Sequence, residues 1–153
     1  MNEYTKVLIK SERANRINNI MTGGVVFIAI LIAYLFYALF WPVEVIEPQV
    51  QPYKVLTPVV RQGGELKYQV DICKYHDLPA TIIRSYVIEG VSYYLPVNSS
   101  NVKVGCNKTD VLLDVPKVIP LGRGYLDIVT HYQINSYRTK SYHLRTDEFE
   151  VIK

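Results

Sequence analysis

Residues 23–41 read GGVVFIAILIAYLFYALFW, nineteen positions without a charge. As an α-helix they rise about 1.5 Å each, so the stretch is roughly 28 Å long, close to the ~30 Å hydrocarbon core of a bilayer. The uncharged interval is wider still and runs from Arg16 to Glu44. Trp41 closes the stretch where an interfacial aromatic ring is expected, and Pro42 cannot continue a helix. A soluble domain built from 153 residues has no interior able to cover such a helix on every face. The reading is a single N-terminal transmembrane α-helix over 20–41.

The flanks orient it. The nineteen residues before Gly23 hold Lys6, Lys10, Arg13 and Arg16, whereas the nineteen from Pro42 to Val60 hold only Lys54, beside Glu44 and Glu47. The positive-inside rule puts a tail of residues 1–19 in the cytoplasm and everything after the span on the periplasmic or extracellular side. Arg16 and Trp41 are the expected membrane-interface anchors. The apolar run is longer than a signal-peptide core, and no small-x-small cleavage site follows it, so it reads as an uncleaved signal anchor. Ala29 and Ala33 form a small-xxx-small pair, a weak signal for helix packing. The bilayer is thus the first expected partner.

Beyond the helix the sequence PVEVIEPQVQPYKVLTP carries Pro42, Pro48, Pro52 and Pro58. Residues 42–53 are expected to be an extended, proline-rich spacer reaching roughly 35 Å. From residue 54 to 153 the pattern turns to period two. Glu65–Ile72 sets Leu66, Tyr68, Val70 and Ile72 on one face, and Gly124–Asn135 sets Leu126, Ile128, Thr130, Tyr132 and Ile134 on one face. Further β-rich runs are 54–60, 80–89, 91–96, 110–115 and 138–152, separated by turn signals at 62–64, 89–90, 98–101, 121–124 and 135–136. Seven or so short strands in about 100 residues read as an all-β domain, an antiparallel β-sandwich.

The stretch Ile119-Pro-Leu-Gly-Arg-Gly-Tyr125 resembles the corner before the penultimate strand of immunoglobulin-like and fibronectin-like domains, where a tyrosine bonds back to the preceding loop. The terminal Arg145–Val151 resembles the last strand of small immunoglobulin-like domains in bacterial and phage-encoded, membrane-anchored surface proteins. The resemblance implies an Ig-like β-sandwich and a surface role. One departure is Cys106, which lies ahead of the penultimate strand in a loop-like context after Gly105. An even cysteine count on the oxidising side points to a Cys73–Cys106 disulfide stapling a strand end to a loop, with two free thiols as the alternative.

The net charge of +3 splits into 4 − 2 = +2 for residues 1–41 and 13 − 12 = +1 for the rest, with signs interspersed, so nucleic acid is not an expected partner. Glycine-rich phosphate loops, GxSxG, HExxH and CxxC are all absent from the sequence. If residues 135–138 close a hairpin, His131 faces Tyr142 or His143, two potential metal ligands with no third or fourth. His76-Asp77 sits in a turn, where Asp usually serves the backbone. No enzyme, cofactor or metal is expected. Asn98-Ser-Ser and Asn107-Lys-Thr are glycosylation sequons only if a eukaryotic secretory pathway makes the chain.

Ten of the thirteen tyrosines lie from Tyr53 onward. They suit half-buried strand positions and binding faces alike; Tyr93, Tyr94, Tyr137 and Tyr142 are the expected contacts for an unidentified protein partner. The expected function is a membrane-anchored, non-enzymatic interaction or structural module, at the cell envelope or in a viral or phage membrane-associated assembly. The alternative is an accessory subunit of a larger membrane complex, held mainly through its helix. Homo- or hetero-oligomers suit both.

Overall fold

The computed structural model describes residues 3–100 and 102–153; of the side chains before Asn19, it describes only Arg16. Asn101, the end of the 98–101 turn signal, and the side chains of Lys6, Lys10 and Arg13 lie outside the described residues. The chain divides into two compact units, Met1–Pro42 and Val43–Lys153.

The first unit is one helix, α1 (Glu3–Phe40). No proline or glycine interrupts residues 3–22, and the helix includes the tail that the sequence reading kept apart from the span. Its apolar part, Asn19–Phe40, is long enough to cross a membrane. The Trp41 amide closes the last turn onto the Tyr37 carbonyl at 3.1 Å, and Pro42 ends it.

The second unit holds ten strands, β1 (Ile46–Pro48), β2 (Val59–Arg61), β3 (Glu65–Lys74), β4 (Ala80–Ile88), β5 (Val91–Tyr94), β6 (Asn98–Ser100), β7 (Gly105–Asp114), β8 (Gly122–Asn135), β9 (Arg138–Arg145) and β10 (Phe149–Ile152). One sheet runs β1-β3-β7; the other runs β2-β10-β8-β4-β5, with β6 also on β4 and β9 also on β8. The all-β expectation holds for the described residues of this unit, but the pairing is mixed. β2 lies parallel to β10, bringing Val60 opposite Val151, while every other strand pair is antiparallel.

Period-two alternation supplies one core common to both sheets. Leu66, Tyr68 and Ile72 from β3 join Tyr86 and Ile88 from β4, Leu126, Ile128 and Tyr132 from β8, and Phe149 and Val151 from β10. Tyr86 is fully buried; its ring meets Phe149 edge-on, and its hydroxyl donates to the Asp114 carbonyl at the end of β7, 3.1 Å away. Gly124 permits a close approach of β8 to β4. A Cβ there would stand 2.1 Å from the Val87 carbonyl oxygen, where no side chain fits.

The proline-rich spacer is corrected. Residues 42–53 are not a free arm: Val45, Ile46 and Tyr53 are core residues, and Ile46–Pro48 pairs with Ile72–Lys74. Apolar residues between the prolines bury themselves, and Pro48 is tolerated because β1 is an edge strand. The 98–101 turn signal is likewise a strand in part, since Asn98–Ser100 pairs with Ala80–Ile82. The 138–152 run breaks into β9 and β10 at Thr146, whose hydroxyl accepts the Leu126 amide at 3.0 Å.

Candidate functional site

On β4, alternation points Ala80, Ile82, Arg84, Tyr86 and Ile88 to the same side of the sheet. Four belong in a core; the third is a guanidinium. Around it the two sheets leave a cavity of about 130 Å³. Tyr68, Val70 and Ile72 of β3 and Asn107, Thr109 and Val111 of β7 form one wall, and Ile128, Thr130 and Tyr132 of β8 another. Ile46 and Tyr53, from the segment expected to be a spacer, help close it.

Of the polar groups around this space, Arg84 can only donate, while the tyrosine and threonine hydroxyls and the Asn107 amide can donate or accept. Burial raises the Tyr53 phenol well above its ordinary range and pushes Tyr132 up to about 12. Burial also raises Tyr68, but the Arg84 guanidinium beside it, hydrogen-bonded to its hydroxyl, pulls the other way. All three are neutral hydroxyls at physiological pH. Two buried donors have no partner: the Tyr53 hydroxyl and the Arg84 Nε–H. None of the lining side chains is a carboxylate.

The four tyrosines expected at a partner surface have diverged. Tyr94 and Tyr137 are 76% and 80% exposed. They are not neighbours. Tyr94 is level with Asp127 through Ser85, while Tyr137 tips the β8–β9 hairpin ten residues further along, roughly 30 Å away at about 3.3 Å per residue. Tyr93 is half-buried and packs on the core. Tyr142 is committed internally, with its ring edge-on to Tyr132 and its hydroxyl accepting the Val45 amide at 3.0 Å. Beside it Lys140 Nζ donates to the Val43 carbonyl at 2.9 Å and to Glu44 at 3.0 Å. Residues 140 and 142 thereby clasp the chain where it enters the domain.

Cys106 is corrected from loop to strand. It lies on β7 directly opposite Cys73 of β3, with Cα atoms 3.9 Å and sulfurs 1.98 Å apart, at disulfide distance. The histidine register is corrected as well. A bulge between Gln133 and Asn135 slips the hairpin by one, so His131 faces Ser141 and His143 faces Val129. His131 Nδ1 and the Ser141 hydroxyl are 2.7 Å apart on the exposed face. No carboxylate among the described residues orients that ring, and no group of three or more His, Cys, Asp or Glu gathers there for a metal. His76 is exposed, and Asp77 lies 3.6 Å from Lys74. Tyr125, expected to bond back at a corner, is half-buried on the other face of β8 from Leu126. Arg16 is exposed, and Trp41 stacks on Tyr37 at 5.1 Å between centroids.

Sequence reading missed Arg84 and the cavity. The signal was present in Ala80-Thr-Ile-Ile-Arg-Ser-Tyr-Val-Ile88, where an arginine takes a core position in an alternating strand.

No protein-family model and no curated protein matches this sequence. Among solved structures, Pseudomonas fluorescens alkylpurine DNA glycosylase AlkC bound to DNA containing an abasic site analog is similar over 69% of this chain, at 12% identity and a TM-score of 0.37. The match spans 30% of the glycosylase chain, and a likeness of that strength carries no argument.

Proposed function

We propose that this chain is a single-pass membrane protein whose second unit is an immunoglobulin-like sandwich serving as a non-enzymatic interaction or structural module. It acts at the cell envelope or in a viral or phage membrane-associated assembly, with its N-terminus cytoplasmic and its domain outside. The observation that supports the anchor is exposure. From Ile20 to Trp41 the large apolar side chains of α1 and its end are 42–68% exposed, and none of the Asn19–Phe40 window is buried. At about 25 cal/mol per Å² of apolar surface, water is a poor solvent for that surface and lipid a good one.

The test is a C-terminal epitope after Lys153 on the full chain. Resistance to alkaline extraction, with epitope loss when protease meets cells stripped of any wall or outer membrane, is the expected pair of results. Extraction into the soluble fraction removes the anchor, and an epitope protected until lysis reverses the orientation. Alanine at Tyr94 and at Tyr137, made separately, tests the module: loss of a co-purifying protein with either one identifies the contact end.

The second reading, an accessory subunit held through its helix, is favoured by Ala29 and Ala33, exposed one turn apart on α1. Replacing residues 20–41 by an unrelated anchor separates the two. A module keeps its partner after the swap, and a helix-held subunit loses it.

A further inference from the structure

We propose that the cavity between the sheets is a binding site for a small carboxylate with a compact apolar body. Its volume sets the size. About 130 Å³ is near the roughly 150 Å³ that suffices for benzene, and far below the 300 Å³ or more of sites for larger ligands. Nucleotides, sugars and intact lipids are excluded on that ground.

Its chemistry sets the charge. Arg84 Nε can only donate, and the Tyr53 hydroxyl, on a residue 2% exposed, stands unpartnered as well. Both unpaired atoms belong to residues lining one space, and no lining carboxylate meets the guanidinium there. A buried donor left unsatisfied typically costs 1–3 kcal/mol, so a ligand bringing a carboxylate recovers what the empty site forgoes. Water satisfies donors too, but it leaves the guanidinium charge unneutralised and the Ile46, Val70, Ile82 and Leu144 walls poorly used.

The identity of the walls completes the fit. Aromatic rings from Tyr53, Tyr68 and Tyr132 and branched side chains from both sheets surround a ligand of about six heavy atoms in all, carboxylate included, the benzene size that the volume allows. Isobutyrate is the simplest probe of that description, and isobutanol is its neutral near-isostere.

The experiment uses the full chain in zwitterionic nanodiscs with ¹³C-labelled tyrosine rings, and empty nanodiscs correct for partition into lipid. Isobutyrate is expected to shift the Tyr53 and Tyr68 signals saturably, about tenfold or more tighter than isobutanol. Arg84→Met should abolish that preference, and Tyr53→Phe should weaken isobutyrate by about fivefold while leaving isobutanol unchanged. Circular dichroism of each variant without ligand verifies the fold. The wild-type comparison of the two probes stands even where a variant misfolds. Equal affinity for both probes, or no saturable shift with either, overturns the proposal and leaves the cavity to water.

Discussion

Tyr142 Oη accepts the backbone N–H of Val45 at 3.0 Å, across 97 residues of sequence. The same oxygen lies 3.4 Å from the Ile46 amide, so one phenol secures the first two core residues of the domain. Tyr142→Phe keeps the ring against Tyr132 and removes only this acceptor. The expected loss is about 1–3 kcal/mol, with earlier hydrogen exchange at Val45 and Ile46 than in β3. Exchange that is unchanged at these two amides would show that the clasp is held by Lys140 alone.

Gly124 has no room for a methyl group. Gly124→Ala drives a carbon against the Val87 carbonyl and Ile88 Cδ1, parting β4 from β8 where Gly124 faces Ile88. Such overpacking against backbone costs about 3 kcal/mol or more. Thermal denaturation should show a fall of ten degrees or more for a domain of this size. The same change at Gly90, whose added carbon would meet nothing within 4 Å but whose φ is +83°, should cost only about 1 kcal/mol.

Closing the 33-residue separation between Cys73 and Cys106 restricts the unfolded chain by about 3–4 kcal/mol on the loop-entropy estimate. The paired Cys73→Ala and Cys106→Ala variant should therefore unfold at lower denaturant concentration than the oxidised protein. A non-reducing gel of the native protein provides the direct check. A midpoint equal to that of the protein as purified would show that the thiols are not joined in solution.

Alkaline pH should unfold the domain through its tyrosines. A phenol whose folded value lies above its unfolded one contributes stability fully present below the unfolded value, near 10, and lost as pH rises through the folded value. For Tyr132, pushed up to about 12, the window is roughly pH 10 to 12 and the loss approaches ~2–3 kcal/mol. Tyr53 and Tyr86, raised in the same direction by burial, extend it upward. Tyrosinate absorbance should rise in one cooperative step coincident with loss of the β signal in circular dichroism. Gradual titration without unfolding would mean that the rings reach solvent.

Much of the β domain could be read because apolar side chains recur every second residue where one face is buried. Leu66 to Ile72 and Leu126 to Tyr132 needed nothing beyond that rule. The readings that failed concern backbone partners, which period-two alternation does not encode. Ile46–Pro48 looks like linker because prolines mask a three-residue edge strand, and Asn98–Ser100 looks like a turn because polar residues serve an exposed edge equally well. The bulge near Gln133 moved His131 from Tyr142 to Ser141, since a single inserted residue shifts register without altering composition. Arg84 was legible in principle as the odd member of an apolar face. The space around it was not, because a cavity is the outcome of two sheets packing and no single strand carries it.

The cross-strand position of Cys73 and Cys106 bears on how the chain carries mechanical load. Tension entering from the N-terminal side first meets the Tyr142 and Lys140 contacts, then β1, then β2 on β10, then β3. Unravelling that reaches Cys73 passes through the sulfurs straight to Cys106, and residues 74–105 never enter the stretched path. At roughly 3.3–3.6 Å per residue, about 100 Å of slack is withheld. With the bond formed, β4 and β5 stay outside the tensed segment even when β1 and β3 have been pulled from their sheet, so a pulled molecule yields in a short extension and then stiffens.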